Sequence, residues 1–369
     1  MRVIDADAHV EESPATFADP YWDPVFADRR PQVIQARESA YWLIDGRTWP
    51  RRTGRGAHHF ATPAAVGQQK TRWTASKPDP LESIVLSDVN ARIRYNVSEG
   101  IDLQVIFPTL FLGYPLAEDM ALQNALCRCY NSWTADVCGQ RPEALKWVAV
   151  VNLGDVPAAV DELLRARELG AIGVLTLGTV GEEKLDNPRF DAFYAQVQDL
   201  DLALAVHVGW PSASLGSLYD TVYDSLVLPF TVSMFTGFLD IVAGGVLDRF
   251  PRLRACFFEA GCHWIPFLLE RMDHYYEMAV ERGRWEYHAK RKPSEYVQGG
   301  NVYFGFEVED HLLPQVLEMV GSKQFIYASD IPHGDRLFGS VAYLRDRSDV
   351  SDSDKELLLG GNAARYYKL

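Results

Sequence analysis

Eight short apolar runs punctuate this chain, at residues 3–10, 101–108, 145–153, 171–177, 202–208, 253–259, 302–307 and 324–329, and most of them do not alternate with polar positions. A strand with one wet face alternates apolar and polar residues. A strand apolar at nearly every position is buried on both faces, the condition of parallel strands covered by helices. The segments between the runs carry helix signals. Asp155 is placed to N-cap a helix reaching Glu168, with Val160, Leu163, Leu164 and Leu169 on one stripe and Gly170 just past its end. Asn187-Pro188 supplies a cap and a first-turn proline for a helix ending near Leu200, 263–278 and 311–319 read as two further helices, and 362–367 reads as a terminal turn packed by Tyr366 and Tyr367. Strands alternating with helices eight times predict an α/β fold, specifically a (β/α)8 TIM barrel. A doubly wound open sheet is the rival, and it is disfavoured because no GxGxxG or Walker pattern follows any strand.

A chain of 369 residues suits one such barrel carrying insertions, so residues 1–369 are expected to form a single domain. Two connections are long. Residues 11–99, approximately, separate the first two strands and read as a cap over the barrel mouth. They hold Trp22, Trp42, Trp49 and Trp73, the basic cluster Arg47, Arg51, Arg52 and Arg55, and an Asp45-Gly46 hairpin signal. Residues 209–229, with Tyr219 and Tyr223, follow the fifth strand. In a barrel both insertions lie at the C-terminal face, where active sites are built.

Asp and Glu outnumber Lys and Arg by 50 to 36, a net charge of −14, which argues against nucleic acid and anionic membranes as partners because both need basic faces. No uninterrupted apolar run approaches ~20 residues, so no membrane span is expected. No charged and then apolar leader precedes the first strand, so no secretory signal is expected either. The five cysteines (Cys127, Cys129, Cys138, Cys256, Cys262) are odd in number and match neither zinc-ribbon nor disulfide spacing, which points to a reduced, cytoplasmic setting. Cys127 and Cys129 lie two apart in a helical stretch, point away from each other, and read as small core residues.

Ionisable residues are scarce inside the apolar runs and gather at their C-terminal ends: Asp7 and His9 on the first, His207 on the fifth, Glu259 on the sixth and Asp330 on the eighth. Asp7 and His9 are two residues apart on a strand, so their side chains share one face while Ala6 and Ala8 take the other. Asp7, His9, His207 and Asp330 together offer oxygen and nitrogen donors for one divalent ion with positions left for water and substrate; zinc or manganese fits best, and iron also fits.

The segments "DADAH", "HVGWP", "EAGCHWIPFLLERMD" and "SDIPHGD", in this order, resemble the amidohydrolase superfamily, and more narrowly its amidohydrolase-2 branch, which contains the aminocarboxymuconate-semialdehyde and resorcylate decarboxylases. "SEGIDLQVIFPT" is similar to the second strand of that branch and "NAARYY" to its C-terminal segment. The resemblance implies that Asp7 stands where the first histidine of a His-x-His pair, or a carboxylate, binds metal, that His9 and His207 are ligands, and that Asp330 binds metal or metal-bound water and moves protons. It implies a role for His333 in the same loop, and a homodimer. The chain departs from the branch at the sixth strand, where decarboxylases carry a catalytic histidine and this sequence has Glu259, with His263 four residues on.

Three functions follow in order of preference. The first is a metal-dependent lyase that decarboxylates an aromatic or enolic carboxylic acid without oxidation, using a metal-bound water and Asp330 as proton shuttle, with Glu259 and His333 as further acid–base candidates. The second is a metal-dependent hydrolase of a C–N or C–C bond beside a carbonyl. The third is a ligand-binding barrel without catalysis. Arg47 and Arg51, which offer bidentate donors to a carboxylate, together with Trp210 and His263, are the candidate substrate contacts.

Overall fold

The computed structural model describes residues 2–36, 39–58, 63, 79–113, 115–334 and 336–369; Trp73 of the cap lies outside them. The described chain forms strands β1 (Ile4–Val10), β2 (Gln32–Ala36), β3 (Ser39–Ile44), β4 (Arg47–Trp49), β5 (Leu103–Pro108), β6 (Leu145–Val150), β7 (Gly173–Leu177), β8 (Ala203–His207), β9 (Ala255–Phe258), β10 (Val302–Phe306) and β11 (Phe325–Tyr327). Strands β1 and β5 to β11 make one eight-stranded sheet whose spatial order follows the chain. All its ladders are parallel. Every position in these strands is buried except Lys146, which is half-buried. The sequence expected this of strands apolar on both faces.

The sheet closes on itself just beyond β11. The Asp330 N–H donates to the Asp7 carbonyl at 3.1 Å, and the His9 N–H donates to the Ile331 carbonyl at 2.6 Å. The fold is a (β/α)8 TIM barrel. Its far end is sealed by the helix Asn362–Tyr367, where the Tyr366 hydroxyl donates to the Leu204 carbonyl and the Tyr367 hydroxyl to the Ala6 carbonyl.

Helix boundaries follow their capping chemistry. Asp155 accepts the Ala158 N–H and starts Val156–Glu168, and Gly170 leaves it at φ 101. Asn187 caps only the short turn Pro188–Phe190, and the helix proper runs Asp191–Asp199. Trp264–Tyr276 and Leu313–Val320 occupy the other two expected stretches.

Strands β2, β3 and β4 form an antiparallel sheet. Asp45 at φ 49 and Gly46 at φ 75 join Ile44 to Arg47 as a two-residue hairpin, for which both residues need left-handed backbone. Phe17, Trp22 and Trp42 stack edge to face and belong to the same apolar cluster as the barrel. The stretch read as insertion ends in the helix Val89–Glu99, which leads directly into β5. The two long insertions meet: the Gly56 N–H donates to the Tyr219 carbonyl at 2.9 Å, and the His58 ring lies 5.7 Å from that of Trp210.

One expectation needs correcting. Val222–Ala243, two helices joined at Leu228 and containing an 18-residue window of mean hydropathy 1.8, is long and apolar enough by composition to cross a membrane, although the sequence contains no uninterrupted run of that kind. Asp224, Ser225, Ser233 and Asp240 interrupt it in sequence without lowering its average. Its Pro229–Ala243 part packs against β7 and β8. The approach is close: a Cβ on Gly178 would lie 1.7 Å from the Ser233 carbonyl oxygen. Gly178→Ala must therefore push this helix off the barrel. A loss of about 3 kcal/mol in denaturant unfolding is expected, and a loss under about 0.5 kcal/mol would contradict the packing.

Candidate metal centre

Asp7 and His9 leave β1 on the same side, His207 ends β8, Glu259 immediately follows β9, and Asp330 lies three residues beyond β11. One donor atom from each of Asp7, His9, His207 and Glu259 falls within 4.8 Å of the others. His207 Nε2 is 3.2 Å from Asp7 Oδ2 and 3.1 Å from Glu259 Oε2; His9 Nε2 is 3.4 Å from Asp7 Oδ1, 3.6 Å from Glu259 Oε2 and 3.4 Å from Asp330 Oδ1. Two donors about 2.1 Å from a shared ion, at right or tetrahedral angles, lie roughly 3.0–3.4 Å apart. Four of the five distances fall in that range, and His9–Glu259, at 3.6 Å, lies just beyond it.

Hydrogen bonding at the rear of the rings decides what fills it. His9 Nδ1 lies 2.8 Å from the Pro108 carbonyl and His207 Nδ1 lies 2.9 Å from the Val208 carbonyl. A carbonyl only accepts, so each Nδ1 is placed to donate and each ring turns its Nε2 toward the carboxylates. Both Asp7 oxygens, both Nε2 atoms and Glu259 Oε2 are buried and make no hydrogen bond. Lone pairs facing lone pairs in a dry interior require a positive charge between them. Burial works against a charged His207, yet Asp7 and Glu259 push its pKa well above the ordinary histidine range. Burial likewise opposes a charged Glu259, while His207 beside it holds the carboxyl well below the ordinary range. The field that draws a proton to His207 would draw a divalent cation into the same place, and this donor set fits one.

Glu259 at φ 64 and Asp330 at φ 54 both sit in left-handed backbone that non-glycine residues rarely adopt, strain of the kind that collects at functional sites. Asp330 also meets His333: Oδ1 is 2.5 Å from His333 Nδ1, whose ring stacks on His9 at 4.1 Å. His333 Nε2 lies 2.9 Å from the Thr109 hydroxyl. Glu12 in turn accepts the N–H groups of Thr109 and Leu110, and burial pushes its carboxyl up to about 8. Arg92, fully buried, donates to the carbonyls of His9, Ile331 and Ser83 and to Gln104, so it grips both sides of the barrel seam; burial lowers its pKa to about 10.

Strand-end placement thus brings Asp7, His9, His207, Glu259, Asp330 and His333 together. Glu259 lies within the same close group of candidate donors as Asp7, His9 and His207, and Asp330 Oδ1 lies 3.4 Å from His9 Nε2. The expected substrate contacts fare differently. Arg47 is exposed and paired with exposed Glu118. Arg51 is exposed and its guanidinium lies over Gly54 and Gly56. His263 is exposed and sits 3.1 Å from Asp310 Oδ1, in a group with Cys262 and away from the five donors. All three are exposed, and none belongs to the group of buried donors at the strand ends. Trp210 is half-buried; its Nε1 donates to the Ser225 hydroxyl and its ring packs on Phe230, at the junction of the two insertions. Leu177, in register with His207, also lines a crevice with Phe111, Val150, Leu175, Thr176 and Thr179.

The sequence profile of the amidohydrolase family matches residues 91–369. The chain belongs to the amidohydrolase family. This amidohydrolase is 25% identical over 333 residues to γ-resorcylate decarboxylase of Rhodococcus jostii, covering 84% of this chain and 97% of that protein. Its fold superposes on a crystal structure of an amidohydrolase from Mycobacterium avium subsp. paratuberculosis with a TM-score of 0.78 at 20% identity, covering 99% of each chain. It also superposes on 5-carboxyvanillate decarboxylase of Novosphingobium aromaticivorans, solved with bound manganese, with a TM-score of 0.67 at 20% identity, covering 80% of this chain and 86% of the other.

Proposed function

We propose that this amidohydrolase holds one divalent ion at Asp7, His9 and His207 with carboxylate help from Glu259 or Asp330, and that it decarboxylates an aromatic or enolic carboxylic acid without oxidation. The observation that carries the metal is the set of buried, unpaired donor atoms around one point. The decarboxylase likeness of its relatives supports the reaction. When bound, the ion supplies positive charge that fixes and polarises substrate oxygens. Asp330, held against His333, gives its proton to the ring or enol carbon that bears the carboxylate. The bond from that carbon to the carboxylate then breaks, its electron pair stays on the carbon, and CO2 leaves.

Manganese is favoured over zinc, since carboxylates form half or more of the donors and oxygen ligands suit the harder ion. A homodimer is supported by an exposed apolar strip in which Arg271 lies over Phe267 and Tyr275, with Trp285 adjoining. Five unpaired, buried cysteines support a cytoplasmic setting. Glu259 itself favours a second function, hydrolysis beside a carbonyl, because an added carboxylate repels an anionic substrate. A screen of hydroxybenzoates and enolic acids against esters, lactones and amides separates the two. CO2 release is expected; release of acid, alcohol or amine alone would replace the lyase with the hydrolase.

A further inference from the structure

We propose that Thr109 is a positioning residue of the centre: its hydroxyl, held in place by Glu12, fixes the His333 ring against Asp330. The bearing of this on turnover rests on the proposal above that Asp330 moves a proton.

The end of β5 faces two histidine rings. The Pro108 carbonyl lies 2.8 Å from His9 Nδ1, and the next residue sets its hydroxyl 2.9 Å from His333 Nε2. The two rings stack at 4.1 Å with 27° between their planes. On its other side His333 meets Asp330, with Nδ1 2.5 Å from Oδ1. A histidine ring has two broad orientations about its Cβ–Cγ bond, related by a half-turn. Both keep the plane that stacks on His9, but the flipped one puts carbons where the nitrogens were. Stacking therefore does not select the orientation that meets Asp330, and the polar partners do. Asp330 is the group to be oriented, which leaves Thr109 as the anchor.

Thr109 is itself held still. It is buried, and the buried Glu12 carboxylate accepts its N–H at 3.2 Å and the Leu110 N–H at 2.8 Å. Glu12 lies two residues beyond β1, the strand that carries His9, and the Glu11 N–H between them donates to the Ile84 carbonyl at 3.2 Å. One strand thus supplies a ring of the stack and the clamp on the segment that orients the other ring. A β-branched side chain has few rotamers to choose from. A hydroxyl either donates or accepts, so it bonds Nε2 in either tautomer of the ring. Valine would match the shape of Thr109 and lose the bond.

The test compares Thr109→Val, which removes the hydroxyl, with Thr109→Ser, which keeps it. The first readout is the Nε2 resonance of His333 in histidine-15N-labelled protein with Zn2+ added, assigned by its loss in His333→Gln, with fold checked by circular dichroism. T109V is expected to shift or broaden that resonance, and T109S to leave it in place. The second readout is kcat on the acid that releases CO2 in the screen above. T109V should lower it about 10–100-fold, the scale on which lost outer partners act, with KM nearly unchanged, and T109S should restore it. An unmoved resonance in T109V, an equal change in T109S, or wild-type kcat in T109V would overturn the proposal. Thr109→Ala is read in the same way, so the test survives if one variant fails to fold. If no acid yields CO2, the decarboxylase reading fails, and the resonance still decides whether Thr109 positions the ring.

Discussion

His207→Ala is expected to lower Mn2+ affinity at least about 100-fold and to take turnover with it. The side chain is fully buried, its Nδ1 faces the Val208 carbonyl, and Nε2 points at Asp7 and Glu259 at 3.2 and 3.1 Å, where a bound cation would sit. The size of the effect comes from losing that donor while Asp7 and Glu259 remain as buried carboxylates with less positive charge between them. The same geometry fixes a sign for pH. Burial opposes protonation of His207, but Asp7 and Glu259 raise its pKa well above the ordinary value, so a proton and the ion compete for one lone pair. Acidification should release the ion, and raising the pH should restore it. Calorimetric titration of wild type and variant across pH measures both effects. Unchanged affinity in H207A would remove this residue from the ligands, and tighter binding at lower pH would invert the electrostatics.

Asp330→Asn is expected to lower kcat about 10²–10⁴-fold, the span of a lost general acid or base, without unfolding the protein. The fold survives because the backbone bond from residue 330 to the Asp7 carbonyl does not involve the side chain, and the amide oxygen can still accept from His333 Nδ1. What disappears is the ability to carry a transferable proton at a position 3.4 Å from His9 Nε2. Steady-state turnover and thermal unfolding are read together. Near-normal kcat would contradict the proton role, and a large fall in Tm would mean that strain at φ 54 depends on the carboxylate.

Barrel strands were legible because burial on both faces leaves no room for alternation, and the eight apolar runs carry that pattern openly. Asp7, His9, His207, Glu259 and Asp330 were legible because charged residues stand out where such runs end. Thr109 obeys the same strand-end rule, directly after Pro108, yet a hydroxyl carries no charge to mark it, and its link to His333 spans 224 residues. Arg92 had no signal at all: it lies on the helix Val89–Glu99 like any surface arginine, and only tertiary packing turns it toward the seam carbonyls. The partners of Arg47 and His263, Glu118 and Asp310, were not legible, because sequence does not record which segments become neighbours.

Elemental analysis of the protein purified without chelators tests the centre most directly. The account predicts close to one divalent ion per chain, manganese foremost, removable by chelation and restored on adding the metal back. Protein that is folded, free of metal as isolated, and unable to take up manganese, zinc or iron would contradict it.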